Sequence, residues 1–170
     1  FCEQYKMIID KSTENNYNNN TNQGEFIMEN KNVQTYHYYN CNIHRKLTDD
    51  CVIRAISAST GDSWEDTIRT LTEWSIKTGY MLNTPECYGQ YLESIGYVKQ
   101  KQPIYKDGRK VRFKEFARTF DGHAIAHCGK GHITYVADNS AWDIWDVSDE
   151  VVGNYWVHKA ELKFVKKVGE

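Results

Sequence analysis

The hydrophobic period of this 170-residue chain changes near Gly122, and that change constrains the fold more than any other feature. Before it, apolar residues recur at helical spacing in segments closed by glycine. After Cys51, Val52, Ala55, Ile56 and Ser59 fall at i, i+3, i+4 and i+7, with Asp49 or Asp50 placed as N-cap and Gly61 as the stop. Asp62 or Ser63 opens a second helix whose expected stripe is Trp64, Ile68, Leu71 and Ile76, closed by Gly79. Pro85 sits at the first position of a third helix, with Tyr88, Leu92 and Ile95 on one face and Gly96 at its end. A short fourth helix is expected over 112–120. Beyond Gly122 short apolar runs alternate with turns: strands at 122–128, 132–136 and 142–147, turns at 129–131 and 138–140. Residues 155–157 and 162–165 add strand, and the aromatic stretch 33–41 is a weaker strand candidate. Helices first and a sheet second predict an α+β fold, with the helices packed on a C-terminal antiparallel sheet.

The compact part does not use the whole chain. Residues 11–23 are Asn-rich and nearly free of apolar side chains, too little to offset the entropy of ordering. The expected division is a disordered tail over 1–30 and one domain over 31–170. With 40% hydrophobic residues, 12 Tyr and 5 Trp, there is enough to bury a core. A net charge of -2 gives no electrostatic case for nucleic acid or acidic lipid as partner. No apolar run reaches membrane-spanning length. Five scattered cysteines, an odd number, do not make a disulfide framework. Free thiols, with no signal-peptide pattern, lead us to expect an intracellular, cytoplasmic protein.

Cys51 lies in the first turn of an apolar helix. Unpaired N–H groups and the helix dipole favour a thiolate there and can bind an oxyanion. The adjacent Asp49 and Asp50 oppose that charge, at small cost if one caps the helix and the other faces solvent. A cysteine on a helix is often just a small buried residue, so the position needs a base and an orienter to mean more. His132 starts a strand after a glycine turn, and the following turn and strand carry Asp138, Asn139, Asp143 and Asp146. A hairpin with a short turn is expected to bring Asp146 beside the imidazole.

Other groupings carry less. Cys41 and His44 have a zinc-ligand spacing, but His127 and Cys128 are adjacent and point to opposite faces of a strand, so no metal is expected. Trp142, Trp145, Tyr155 and Trp156 read as packing, and Lys99, Lys101, Lys106, Arg109 and Lys110 as a solvated basic loop.

The segment Asp50-Cys51-x-x-Arg54-Ala55-Ile56 resembles the nucleophile helix of papain-like cysteine peptidases. Gly131-His132-Ile-Thr-Tyr-Val136 and Trp142-Asp-Ile-Trp-Asp146 are similar to the histidine and aspartate segments of their C39-type branch. Small bacteriophage proteins share such a helix and Trp-Asp strand. The likeness spans residues 48–157 and is carried by these three motifs. It implies a papain-like thiol hydrolase without cofactor, with Cys51 as nucleophile, His132 as base and Asp146 as orienter. Asp138, Asn139 and Asp143 are the alternatives for the third role. It also implies a polar oxyanion residue shortly before the cysteine, usually Gln. None stands in that stretch, where Asn42 is the nearest amide and Arg45 or Thr48 the other candidates. The implied partner is a peptide or amide substrate, or a host protein for a phage-encoded chain. The alternative is an inactive papain-like fold that binds or inhibits a host factor.

Overall fold

The computed structural model describes residues 34–129 and 131–164. The tail expected over 1–30 and the strand end at Val165 lie outside them. Among the described residues the helices are α1 (Cys51–Thr60), α2 (Trp64–Thr78), α3 (Pro85–Ser94) and α4 (Phe113–Thr119). The strands are β1 (Tyr36–Tyr38), β2 (Tyr97–Gln100), β3 (Ala124–Cys128), β4 (His132–Ala137), β5 (Ser140–Asp143) and β6 (Val152–His158). The fold is α+β, as expected.

The six strands form one sheet in the order β1-β5-β4-β3-β6-β2. It is mixed, which corrects the expectation of a purely antiparallel sheet. β3, β4 and β5 make the expected meander, but β1 joins the edge of β5 in parallel. A parallel neighbour needs a long crossover, and the helices between β1 and β5 are part of it. β2 was not foreseen: Tyr97 and Val98 are followed by Lys99 and Gln100, a short polar edge strand paired with β6.

Alternation along the strands divides the core. Ile125, Ile133 and Trp156 pack with Val52, Ile53, Ile56, Leu71, Tyr88 and Leu92 of α1, α2 and α3. Their neighbours Ala126, Val136 and Tyr155 pack with Phe113 and Phe116 of α4. Burying each large apolar side chain contributes roughly 1.5–3 kcal/mol, so α1 is pinned to the sheet by its own apolar face.

Three local expectations need correction. Ile76 is 80% exposed, because it lies off the α2 stripe. Leu71 is buried there and Trp64, Ile68 and Trp74 are partly buried. The strand expected at 142–147 runs instead from Ser140 to Asp143. Residues Lys159–Phe164 form a 3-10 helix, not a strand.

Candidate active site

The placement of the site follows from three chain ends. α1 begins at Cys51, β4 begins at His132 and β5 ends at Asp143. The β4–β5 turn is only two residues, Asp138 and Asn139, with φ of 50° and 61°. Positive φ at both positions is the mark of a type I′ hairpin turn, which Asp and Asn tolerate. The ladder therefore starts immediately, with Ala137 opposite Ser140, Val136 opposite Ala141 and Tyr135 opposite Trp142. One step further sets Asp143 across from Thr134, diagonal to His132 on the same face.

This register sets which carboxylate meets His132. Asp143 Oδ2 lies 2.5 Å from His132 Nε2, and Asp143 is 3% exposed. Asp146, the expected orienter, is past the strand end, exposed, and accepts a hydrogen bond from the Ser148 N–H at 2.8 Å. The difference comes from the turn: a three-residue turn at 138–140 would have started β5 later. Asp138 and Asn139 form the turn itself, at the opposite end of β4 from His132.

His132 has a second partner, the Cys51 thiol. Because Nε2 is taken by Asp143, Nδ1 is the ring nitrogen left for the sulfur. Burial alone would lower the imidazole pKa, but the hydrogen bonds to Asp143 and Cys51 outweigh it and raise it to about 9. An imidazolium between a carboxylate and a thiol is thus favoured at neutral pH. The half-exposed Trp145 ring lies over it, with centroids 4.2 Å apart.

Asp50 occupies the N-cap position of α1 but its side chain makes no cap hydrogen bond. It is buried and accepts from Asn42 Nδ2 at 3.0 Å, from Trp64 Nε1 at 2.9 Å and from the Arg54 guanidinium. Two consequences follow. The charge beside Cys51 is paired rather than free, and the first N–H groups of α1 keep no side-chain cap. Asn42 is spent on this carboxylate, and its own oxygen accepts the His44 N–H at 2.9 Å. Arg45 is exposed in the preceding turn at φ 51°. Asn42 is thus a buried brace and Arg45 a surface residue.

Sequence reasoning missed Arg54 as a partner of the site. It is buried at 3% exposure, and its guanidinium lies 3.7 Å from Asp143 Oδ1 as well as against Asp50. Its signal was an arginine between Ile53 and Ala55 on a helix that buries nearly every side.

The other thiols differ. Burial pushes the Cys41 thiol up, and mainly burial pushes Cys128 up to about 12. Cys87 is fully buried. Burial lowers the His127 pKa, and its Nε2 meets the Tyr88 hydroxyl at 2.8 Å. Among the described residues no group of three or more His, Cys, Asp or Glu is arranged to hold a metal ion, and no helix is long and apolar enough to cross a membrane.

Comparison of the chain with protein-family models, curated proteins and solved structures finds no match.

Proposed function

We propose that the protein is a papain-like thiol hydrolase, similar to the C39-type branch, that cleaves a peptide, isopeptide or small amide bond. The observation that carries the reading is the buried His132–Asp143 pair, 2.5 Å apart, with the Cys51 thiol among the groups that raise the His132 pKa. His132 takes the Cys51 proton, which leaves a thiolate. The thiolate attacks the carbonyl carbon, and uncapped N–H groups at the start of α1 receive the oxyanion. Imidazolium Nδ1 then protonates the leaving amine. Neutral His132 next takes a proton from water, which attacks the thioester and releases the acid and Cys51. Asp143 holds the ring throughout. The substrate is a peptide or amide, which for a phage-encoded chain would come from a host protein in its cytoplasm.

One observation favours the alternative, a non-catalytic binder or host inhibitor on the same fold: the upstream amide, Asn42, is committed to Asp50.

Site-resolved iodoacetamide labelling across pH, with His132→Ala as control, tests the couple. The hydrolase reading expects Cys51 to label fast below pH 7, far ahead of Cys87 and Cys128, and to lose that rate in the control. A slow, ordinary thiol profile at Cys51 would overturn it. Fast labelling without turnover of any peptide in a broad fluorogenic pool would leave the binder.

A further inference from the structure

Arg54 is a buried cation on the helix face that meets the sheet, three residues after Cys51 and so beside it on that face. It joins two carboxylates from different parts of the chain. Asp50 lies one turn back on its own segment, and Asp143 Oδ1 lies 3.7 Å away at the end of β5. Each carboxylate is fixed at its other positions. Asp50 is held by Asn42 and Trp64. Asp143 Oδ1 also accepts the Ile144 N–H at 2.7 Å, which leaves Oδ2 for His132. Opposite charges then alternate through the buried cluster: Asp50 negative, Arg54 positive, Asp143 negative, with His132 next in line.

A buried ion pair of this kind is a poor source of stability. Removing two charges from water costs several kcal/mol per ion, and a well-packed apolar replacement is often no worse. The pairing is better explained by what it holds in place. We propose that Arg54 is a positioning residue for the reaction: it ties the Asp143 carboxylate to the helix that carries Cys51. Nucleophile and orienter are then referred to one rigid element, and His132 is aimed between them. Arg54 also offsets the Asp50 charge next to the sulfur. This inference rests on the Cys51–His132–Asp143 reading.

The test measures Cys51 labelling by iodoacetamide from pH 5 to 9, together with melting temperature and circular dichroism. The variants are Arg54→Met, Arg54→Lys and the double variant Asp50→Asn/Arg54→Met. Arg54→Met is expected to slow labelling at pH 6 by about tenfold or more and to move the midpoint of the profile upward by about one pH unit. The double variant leaves Asp50 neutral and should recover melting temperature but not rate. Lysine keeps the charge and the fold but cannot span two carboxylates as a guanidinium does, so it should also label more slowly than wild type. A wild-type rate and midpoint in any folded member of this set overturns the inference. If wild-type Cys51 itself behaves as an ordinary thiol, the Cys–His reading fails first, and this inference with it.

Discussion

Asp143 places its Oδ2 2.5 Å from His132 Nε2, while Asp146, three residues on, faces solvent. The two acids therefore separate by mutation. Asp143→Asn should lower Cys51 labelling at pH 6 by about tenfold or more through loss of the charge that favours the imidazolium. Asp146→Asn should leave the rate within about twofold of wild type, since the change is an exposed one. The opposite ranking in labelling followed by mass spectrometry would return the role to Asp146.

The raised imidazole pKa makes His132 a source of pH-dependent stability. Its ordinary value is 6.5 and its folded value about 9. The contribution is full below pH 6.5 and is lost as pH rises through 9. The shift from 6.5 to about 9 bounds it at about 3 kcal/mol. Urea unfolding of wild type and His132→Gln between pH 6 and 10 should show a difference that shrinks as pH rises. A difference independent of pH would contradict the assigned environment.

The hairpin turn offers a prediction on both fold and site. Asn139 adopts φ 61°. Asn139→Gly should hold or raise the melting temperature, since glycine reaches positive φ without steric cost. Asn139→Val places a β-branched residue there and should cost about 1–3 kcal/mol. If this turn sets the register, the valine variant also slows Cys51 labelling although the site lies at the other end of β4. Unchanged labelling in a destabilised variant would show that the register is held elsewhere.

Two apolar helix residues should behave differently. Phe116 is 0% exposed and Phe116→Ala should cost about 3–5 kcal/mol by denaturant unfolding. Ile76 is 80% exposed, so Ile76→Ser should change stability by no more than about 0.5 kcal/mol. A large loss at Ile76 would mean that this surface is covered in solution.

Much of the scaffold was legible because local chemistry and tertiary packing agree. Gly61 and Gly79 do end their helices, at φ 80° and 77°, and Ser63 caps α2 by accepting the Asp66 N–H at 3.0 Å. The sequence brought Cys51 and His132 forward from chain position alone, as a helix start and a strand start. For the third position the expectation favoured Asp146, whereas Asp143 is the carboxylate beside His132, and telling the two apart required knowing the turn to within one residue. Ser140 reads as a turn residue by type, yet it is buried and its hydroxyl donates to the Gln34 carbonyl at 2.8 Å. That bond is to a segment 106 residues away, which no local pattern contains. The parallel partnership of β1 with β5 was hidden for the same reason. Asp50 misled in a different way. Its type and place suggest a helix cap, but three side-chain donors from Asn42, Arg54 and Trp64 outcompete the backbone.

The two-residue tip at Asp138 and Asn139 has a consequence for how this chain can change length. Surface loops usually absorb insertions with little penalty, since their ends are held by the elements they join. Here Ala137 and Ser140 are already paired, so the tip has no slack. An added residue must either bulge or slip the strands, and a slip of one turns Asp143 to the opposite face. The outermost point of the hairpin is therefore under a length constraint imposed from the other end of the strand, and insertions or deletions there should be excluded from any form of the chain that keeps the His132–Asp143 pair.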